Sequence, residues 1–210
     1  MFCTEQKSQN IEKFFVVIPC IRRVIIASTF ATTTYAGACG TLGFVDGPHP
    51  NARIADPQGI AVAAGGVAYF TTVSFHAVRK IAADQSVTTV AGTGGAGTAD
   101  SVDGVLAQFN QPCQLSILSD GYLFVGDWGN GLYRMIAPDG VVSTVLTGKT
   151  GAMGVIAWDD GSLVISYTSH IEHYAQTAAP TNAPTAAPTD APTLSLPSLP
   201  AQSYTVGGVN

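Results

Sequence analysis

Apolar and polar positions alternate along the chain in runs of five or six residues, each closed by a turn signal. In the clearest stretch the runs cover 114–118, 122–126, 132–137 and 141–146, broken by Asp120-Gly121, Gly129-Asn130-Gly131 and Asp139-Gly140. Runs of this length, bounded by Asp-Gly and Gly-Asn-Gly, predict antiparallel strands joined by hairpins. The same plan is written over 59–63, 67–72, 77–82 and 87–91. A shorter version covers 154–158, 163–167 and 171–175, with no fourth run after it.

These units repeat. Moving along by 55 positions carries Tyr69-Phe70 onto Phe124-Val125, and Val78-Arg79-Lys80-Ile81 onto Tyr133-Arg134-Met135-Ile136. The same step carries Thr34-Tyr35-Ala36-Gly37 onto Thr89-Val90-Ala91-Gly92. A fixed period of this size predicts stacked supersecondary units. Residues 13–37 lie without a gap on 68–92, so they are expected to form the back half of a unit. The resulting division is a polar segment over 1–12, a partial unit over 13–33, complete units over 34–88 and 89–143, and a partial unit over 144–176. From Thr177 to Asn210 the composition changes to Pro, Thr and Ala, with Pro180, Pro184, Pro188 and Pro192 four apart. Such a segment cannot bury enough apolar area to fold and is expected to be a disordered stalk or linker.

Composition narrows the function. With 9 Lys+Arg against 14 Asp+Glu and a net charge of -5, the chain lacks the cationic surface that neutralises phosphates, which excludes nucleic acid as a partner. The apolar runs at 14–18 and 21–26 are interrupted by Pro19 and Arg22-Arg23, so they read as strands of the repeat; no run is long enough for a membrane helix. The cysteines are Cys3, Cys20, Cys39 and Cys113, with no Cys-x-x-Cys pair and no His at zinc-finger spacing. Cys39 and Cys113 are not repeat equivalents, and unpaired small residues are the favoured reading.

Val90-Ala91-Gly92-Thr93-Gly94, Asp103-Gly104, Ala107-Gln108-Phe109-Asn110-Gln111-Pro112, Tyr122-Leu123-Phe124-Val125-Gly126-Asp127 and Gly129-Asn130-Gly131-Leu132-Tyr133-Arg134-Met135-Ile136 together resemble the NHL repeat. The resemblance spans about 13–176. It implies an all-β fold of four-stranded antiparallel propeller blades, here in an incomplete ring that a second copy or the remainder of a longer chain would close. Propellers of this kind serve as binding scaffolds and, in some cases, as enzymes.

In an antiparallel blade, the turn between the second and third strands emerges on the same face as the link between blades. That places Asp127, Trp128 and Asn130 beside the loop 92–112 that carries Asp103, and His76 beside the loop 37–57. These five residues are the candidate contacts, because long loops on a rigid scaffold are where binding concentrates. Gly92-Thr93-Gly94-Gly95-Ala96-Gly97 matches Gly-x-Gly-x-x-Gly, but no helical period follows to meet a pyrophosphate, so a blade connector is expected and no cofactor. His170 and His173, three apart on a strand, point to opposite faces and do not suggest one metal site. The inner runs carry no His, Asp or Glu, and Ser116 has no His–Asp partner nearby in sequence. The expectation is a non-catalytic scaffold for a protein or glycan, displayed outside the cell or on its surface. The alternative is part of an NHL-type metal-dependent lyase or hydrolase whose catalytic residues lie in other blades.

Overall fold

The computed structural model describes residues 12–17, 20–25, 31–175 and 202–204. It is built from four antiparallel sheets in chain order. The first holds β1 (Glu12–Val17), β2 (Cys20–Ile25) and β3 (Ala31–Ala36). The second holds β4 (Pro57–Val62), β5 (Ala68–Thr72), β6 (Ala77–Ile81) and β7 (Val87–Ala91). The third holds β8 (Pro112–Ile117), β9 (Leu123–Asp127), β10 (Leu132–Ile136) and β11 (Val142–Leu146). The fourth holds β12 (Ala152–Ala157), β13 (Leu163–Tyr167), β14 (His170–Tyr174) and β15 (Gln202–Tyr204). Every strand from β4 to β14 lies within two residues of a run expected from the alternation. No helix among the described residues is long and apolar enough to cross a membrane.

The fourth sheet differs from its expected three runs. Its outer strand comes from the far end of the chain, where Gln202 pairs with His173 and Tyr204 with Ile171. A backbone edge on β14 is thereby paired, which removes a row of open donors and acceptors. The rest of the stalk expected over 177–210 lies outside the described residues, as do 1–11 of the polar segment.

The core is divided among the three spaces between neighbouring sheets. Ile21, Tyr35 and Ala36 pack against Ile54, Phe70 and Ile81; Ala61 and Val78 against Phe109, Leu115 and Val125; Phe124 and Tyr133 against Val155, Leu163 and Ile165. The second and third sheets therefore bury both faces, one toward each neighbour, which explains why their strands carry apolar residues at both alternating positions. Close approach fixes some glycines. A Cβ on Gly126 would stand 2.5 Å from the Met153 carbonyl oxygen, and one on Gly59 would stand 2.4 Å from that of Cys113.

Pairing registers correct the ungapped alignment of the first partial unit. Arg79 lies opposite Thr89 and Arg134 opposite Thr144, each beside a bulge, and in the first sheet Arg22 lies opposite Thr34 beside the same bulge. Arg22, and not Val24, is thus the counterpart of Arg79. The cause is the turn: Val17 pairs with Cys20 across two residues, whereas Thr72 pairs with Ala77 across four. The cysteines also depart from the unpaired reading. Cys20 and Cys39 form a disulfide with a Cα–Cα distance of 5.0 Å, and Cys113 is free. The bond ties the start of β2 to the loop after β3, a contact between positions that no repeat period marks.

Candidate interaction face

Each complete blade is fastened by one buried arginine on its third strand. Arg79 donates to the carbonyls of Arg53 (2.7 Å) and Val45 (2.9 Å) and to the Asp46 carboxylate (2.7 Å). Arg134 donates to the carbonyls of Gln108 (2.8 Å) and Ala99 (3.0 Å) and to Asp100 (2.6 Å). The same aspartates accept from the backbone N–H groups of Thr89 (2.7 Å) and Thr144 (3.0 Å). Charge-assisted bonds of this kind are strong, and here they pin the long link before each blade to that blade's third and fourth strands.

The loop face is built on top of this frame. Asp127 ends β9 fully buried, accepting from the Asn110 N–H (2.7 Å) and the Asn130 side-chain amide (2.7 Å), with Arg134 at 3.3 Å. Burial pushes its carboxyl above the ordinary aspartate value, outweighing the hydrogen bonds and the arginine that favour the charged form. Asn130 also donates to the Gly97 carbonyl (2.7 Å), and the Gly129 N–H to that of Asn110 (2.8 Å). The turn after β9 is thus stitched to both ends of the loop 92–112.

Trp128 opens the 3-10 turn Trp128–Asn130 and keeps 44% of its surface exposed. On the preceding blade His76 takes up the left-handed conformation (φ 47°), where the equivalent Gly131 has φ 64°. The Gln111 N–H donates to His76 Nδ1 (3.0 Å), so the ring proton sits on Nε2. Phe75 stacks on Phe44 at 4.9 Å between centroids, closing the same kind of contact with the loop 37–57.

The five sequence candidates therefore separate. Asp127, Asn130 and His76 meet the loop 92–112 as backbone-holding groups, and Asp127 has no surface to offer a ligand. Asp103 is exposed at the outer part of that loop and caps the short turn Gly104–Leu106 through the Val105 N–H (3.3 Å). Trp128 alone of the five presents a large apolar surface. The Gly-rich stretch after β7 leads into no helix; the Gly97 N–H donates to the Phe109 carbonyl (3.0 Å), folding the loop back on itself.

One cluster escaped the sequence reading. Glu172 lies opposite Ile165 as Arg134 lies opposite Val125, so a carboxylate occupies the arginine position in the fourth sheet. It accepts from Lys149 Nζ (2.7 Å) and from the hydroxyls of Tyr167 (2.5 Å) and Tyr174 (2.5 Å). Charge is inverted across the fastening: an acid on the strand and a base on the link. Burial raises the Glu172 pKa, but the bonds from Lys149, Tyr167 and Tyr174 outweigh it and hold the carboxyl at about 2. The missed signal was the turn length. Tyr167 pairs with His170 across two residues, where Asp127 pairs with Leu132 across four, so aligning Ile171 with Leu132 puts Glu172 one residue out of register. No group of three or more His, Cys, Asp or Glu side chains among the described residues could hold a metal.

Comparisons with known proteins follow this architecture. No protein-family model matches the chain. Among curated proteins, the chain is 38% identical over 93 residues to Protein SUPPRESSOR OF QUENCHING 1, chloroplastic, of Arabidopsis thaliana, a match that covers 43% of this chain and 9% of the relative. Among solved structures, a streptogramin B lyase aligns with a TM-score of 0.55 at 16% identity, over 82% of this chain and 50% of its own. A structural-genomics protein assigned as a gluconolactonase aligns with a TM-score of 0.57 at 13% identity, over 81% and 57%. An auxiliary nutrient binding protein from Bacteroides ovatus aligns with a TM-score of 0.51 at 23% identity, over 65% and 35%. The chain thus spans under a tenth of the curated relative it matches and about half or less of these structures. At such identities the likeness speaks for the fold alone: the chain is an arc of β-propeller blades, four-stranded and antiparallel, in an incomplete ring.

Proposed function

We propose that this arc is an NHL-type, non-catalytic scaffold that binds a protein or a glycan through its loop face, with Trp128 as the principal contact. The observation that carries the reading is the contrast at one turn. Trp128 is 44% exposed, while Asp127, Gly129 and Asn130 beside it are each hydrogen-bonded to the loop 92–112. A large side chain presented from a turn whose backbone is already fixed spares the cost of ordering that turn on binding, and Trp is among the residues that anchor interfaces most effectively. The NHL assignment rests on the quoted motifs and on the buried arginine of each complete blade. An extracellular setting is supported by the Cys20–Cys39 disulfide, since such bonds persist in oxidising compartments.

The enzyme alternative draws support from the fold neighbours that are lyases or lactonases, and it would need residues outside this arc. The strands β4, β8 and β12, read in sequence as PQGIAV, PCQLSI and AMGVIA, bring no His, Asp or Glu to the inner edge of their sheets. The test is a glycan array and a surface-protein panel probed with the full chain. Signal abolished by Trp128→Ala and retained by Trp158→Phe supports the reading. Signal indifferent to Trp128, or no signal on either panel, overturns it.

A further inference from the structure

Where the second and third sheets meet on the loop face, one peptide is held from both sides. The carbonyl of the Asn110–Gln111 peptide accepts from the Gly129 N–H (2.8 Å), and its N–H donates to His76 Nδ1 (3.0 Å). The two polar atoms of a trans peptide point in opposite directions, so the His76 ring and the Trp128 turn flank this peptide, with Nδ1 within about 8 Å of the Gly129 nitrogen. The next seam lacks such a ring, because Gly131 stands at the His76 position. Backbone strain marks the same spot. His76 (φ 47°) and Gln111 (φ 55°), bonded to each other, are both non-glycine residues in the left-handed region. Such strain persists only where neighbours over-determine it, and it gathers at functional sites. A glycine at 76 would remove it there, as Gly131 does in the third sheet. Histidine instead adds an Nε2–H that has no acceptor among the described residues and that solvent reaches.

Two further groups around that peptide have unused capacity. Trp128 presents its half-exposed indole. The Asn110 carboxamide packs over the turn, since a Cβ on Gly129 would stand 2.6 Å from its Cγ, and it has no partner among the described residues. None of the three side chains carries a fixed charge. Asp127 is sealed beneath Asn110, and Ala96 and Thr98, exposed on either side of the Gly97 carbonyl that Asn130 holds, are small and neutral.

We propose that His76, Asn110 and Trp128 form one site for a neutral saccharide, with a sugar ring stacked on the indole and its hydroxyls bonded by the carboxamide and the imidazole N–H. This rests on the reading of the loop face as a binding surface, and within that reading it selects the glycan over the protein. The C–H groups on one side of a sugar ring carry slight positive charge and suit the negative face of an indole. Sugar hydroxyls donate and accept; a carboxamide answers in both directions, and the imidazole N–H supplies a donor fixed in place by the Gln111 bond. A protein partner needs a broad patch with several large anchors. Around Trp128 such anchors are sparse: Val102, Val105 and Leu106 stand on the outer part of the loop with Asp103, and Met153, whose carbonyl meets Gly126, is the exposed apolar neighbour on β12.

The test uses the full chain carrying Trp158→Phe, in which Trp128 is the sole tryptophan. It is titrated with neutral oligosaccharides of glucose, mannose, galactose and N-acetylglucosamine and read by tryptophan fluorescence. At least one should shift the emission saturably, with an affinity that changes less than about twofold between roughly 50 and 500 mM salt, since no ion pair forms. Asn110→Ala and His76→Gly should each weaken binding about tenfold through one lost hydrogen bond. His76→Gly also separates binding from folding: it relaxes the backbone, so the urea midpoint should stay within about 0.5 M while the affinity falls. No saturable shift, or an affinity unchanged in Asn110→Ala or in His76→Gly, overturns the inference. Should a signal sensitive to Trp128→Ala then appear on the surface-protein panel, the loop face binds a protein and only the saccharide site is lost; should neither class of ligand bind, the broader reading falls with it.

Discussion

Replacing Arg134 by Met tests whether the buried arginine holds the blade together. The side chain is fully buried, and its removal strands two carbonyls, those of Gln108 and Ala99, the half-exposed Asp100 and the fully buried Asp127. The carbonyls are worth about 1 kcal/mol each, Asp100 at most about 1 because water reaches it, and an uncompensated Asp127 about 2–3. The loss is therefore about 4–6 kcal/mol, a large share of the 5–15 kcal/mol that is typical of a whole domain. Trp128 adjoins the site, and Trp158 is the only other tryptophan, so fluorescence in a Trp158→Phe background follows this blade in a urea titration. With a slope of about 2 kcal/mol per molar, the midpoint should fall by about 2–3 M.

A second change separates charge from packing. Asp127→Asn keeps an oxygen for the Asn110 N–H and removes the stranded charge, so the double variant with Arg134→Met should recover about 2 kcal/mol. Because burial already holds the Asp127 carboxyl above its unfolded value, its ionisation costs stability as pH rises through that raised value. The Arg134→Met penalty should thus be larger at pH 8 than at pH 5. A midpoint shift under about 0.5 M, or strictly additive effects in the double variant, would refute the reasoning.

Glu172 titrates the other way. Its folded pKa of about 2 lies below the ordinary 4.5, so its stabilisation is present above pH 4.5 and lost as pH falls toward 2. With solvent reaching Lys149, the contribution is about 1–2 kcal/mol, and the acid-unfolding curve of Glu172→Gln should lose that part of its slope. Gly126→Ala should cost about 2–4 kcal/mol in thermal or urea melts, because the Cβ meets the Met153 carbonyl, whereas Gly95→Ala, with only the Thr93 hydroxyl at 3.7 Å, should be silent. Reducing Cys20–Cys39, which closes a separation of 19 residues, should lower stability by about 3 kcal/mol; an unchanged melting temperature in reductant would count against a structural role.

Much of the architecture was legible in sequence because it is local. Alternation of period two, Asp-Gly turns and the 55-residue step are short-range properties, and they located the strands from β4 to β14 to within two residues. The same step carries Arg79 onto Arg134, although the acceptors that make both a fastening are visible only in the folded chain. The shared face of the turn after β9 and the loop 92–112 followed from strand direction alone.

What the tertiary structure decided is where side chains meet across distance and which of them water reaches. Asp127 and Trp128 are neighbours in sequence and look alike as contacts, yet one is sealed under Asn110 and Arg134 and the other stands in solvent. Two turns shortened by two residues moved Arg22 and Glu172 into the fastening position, since a change in turn length resets which residue faces which neighbour. The Cys20–Cys39 bond and the pairing of β15 on β14 join segments that no period relates. Sequence periodicity specifies a blade because each blade repeats the same local contacts. Pairing, burial and charge inversion belong to the contacts between blades, and those exist only once the sheets are stacked.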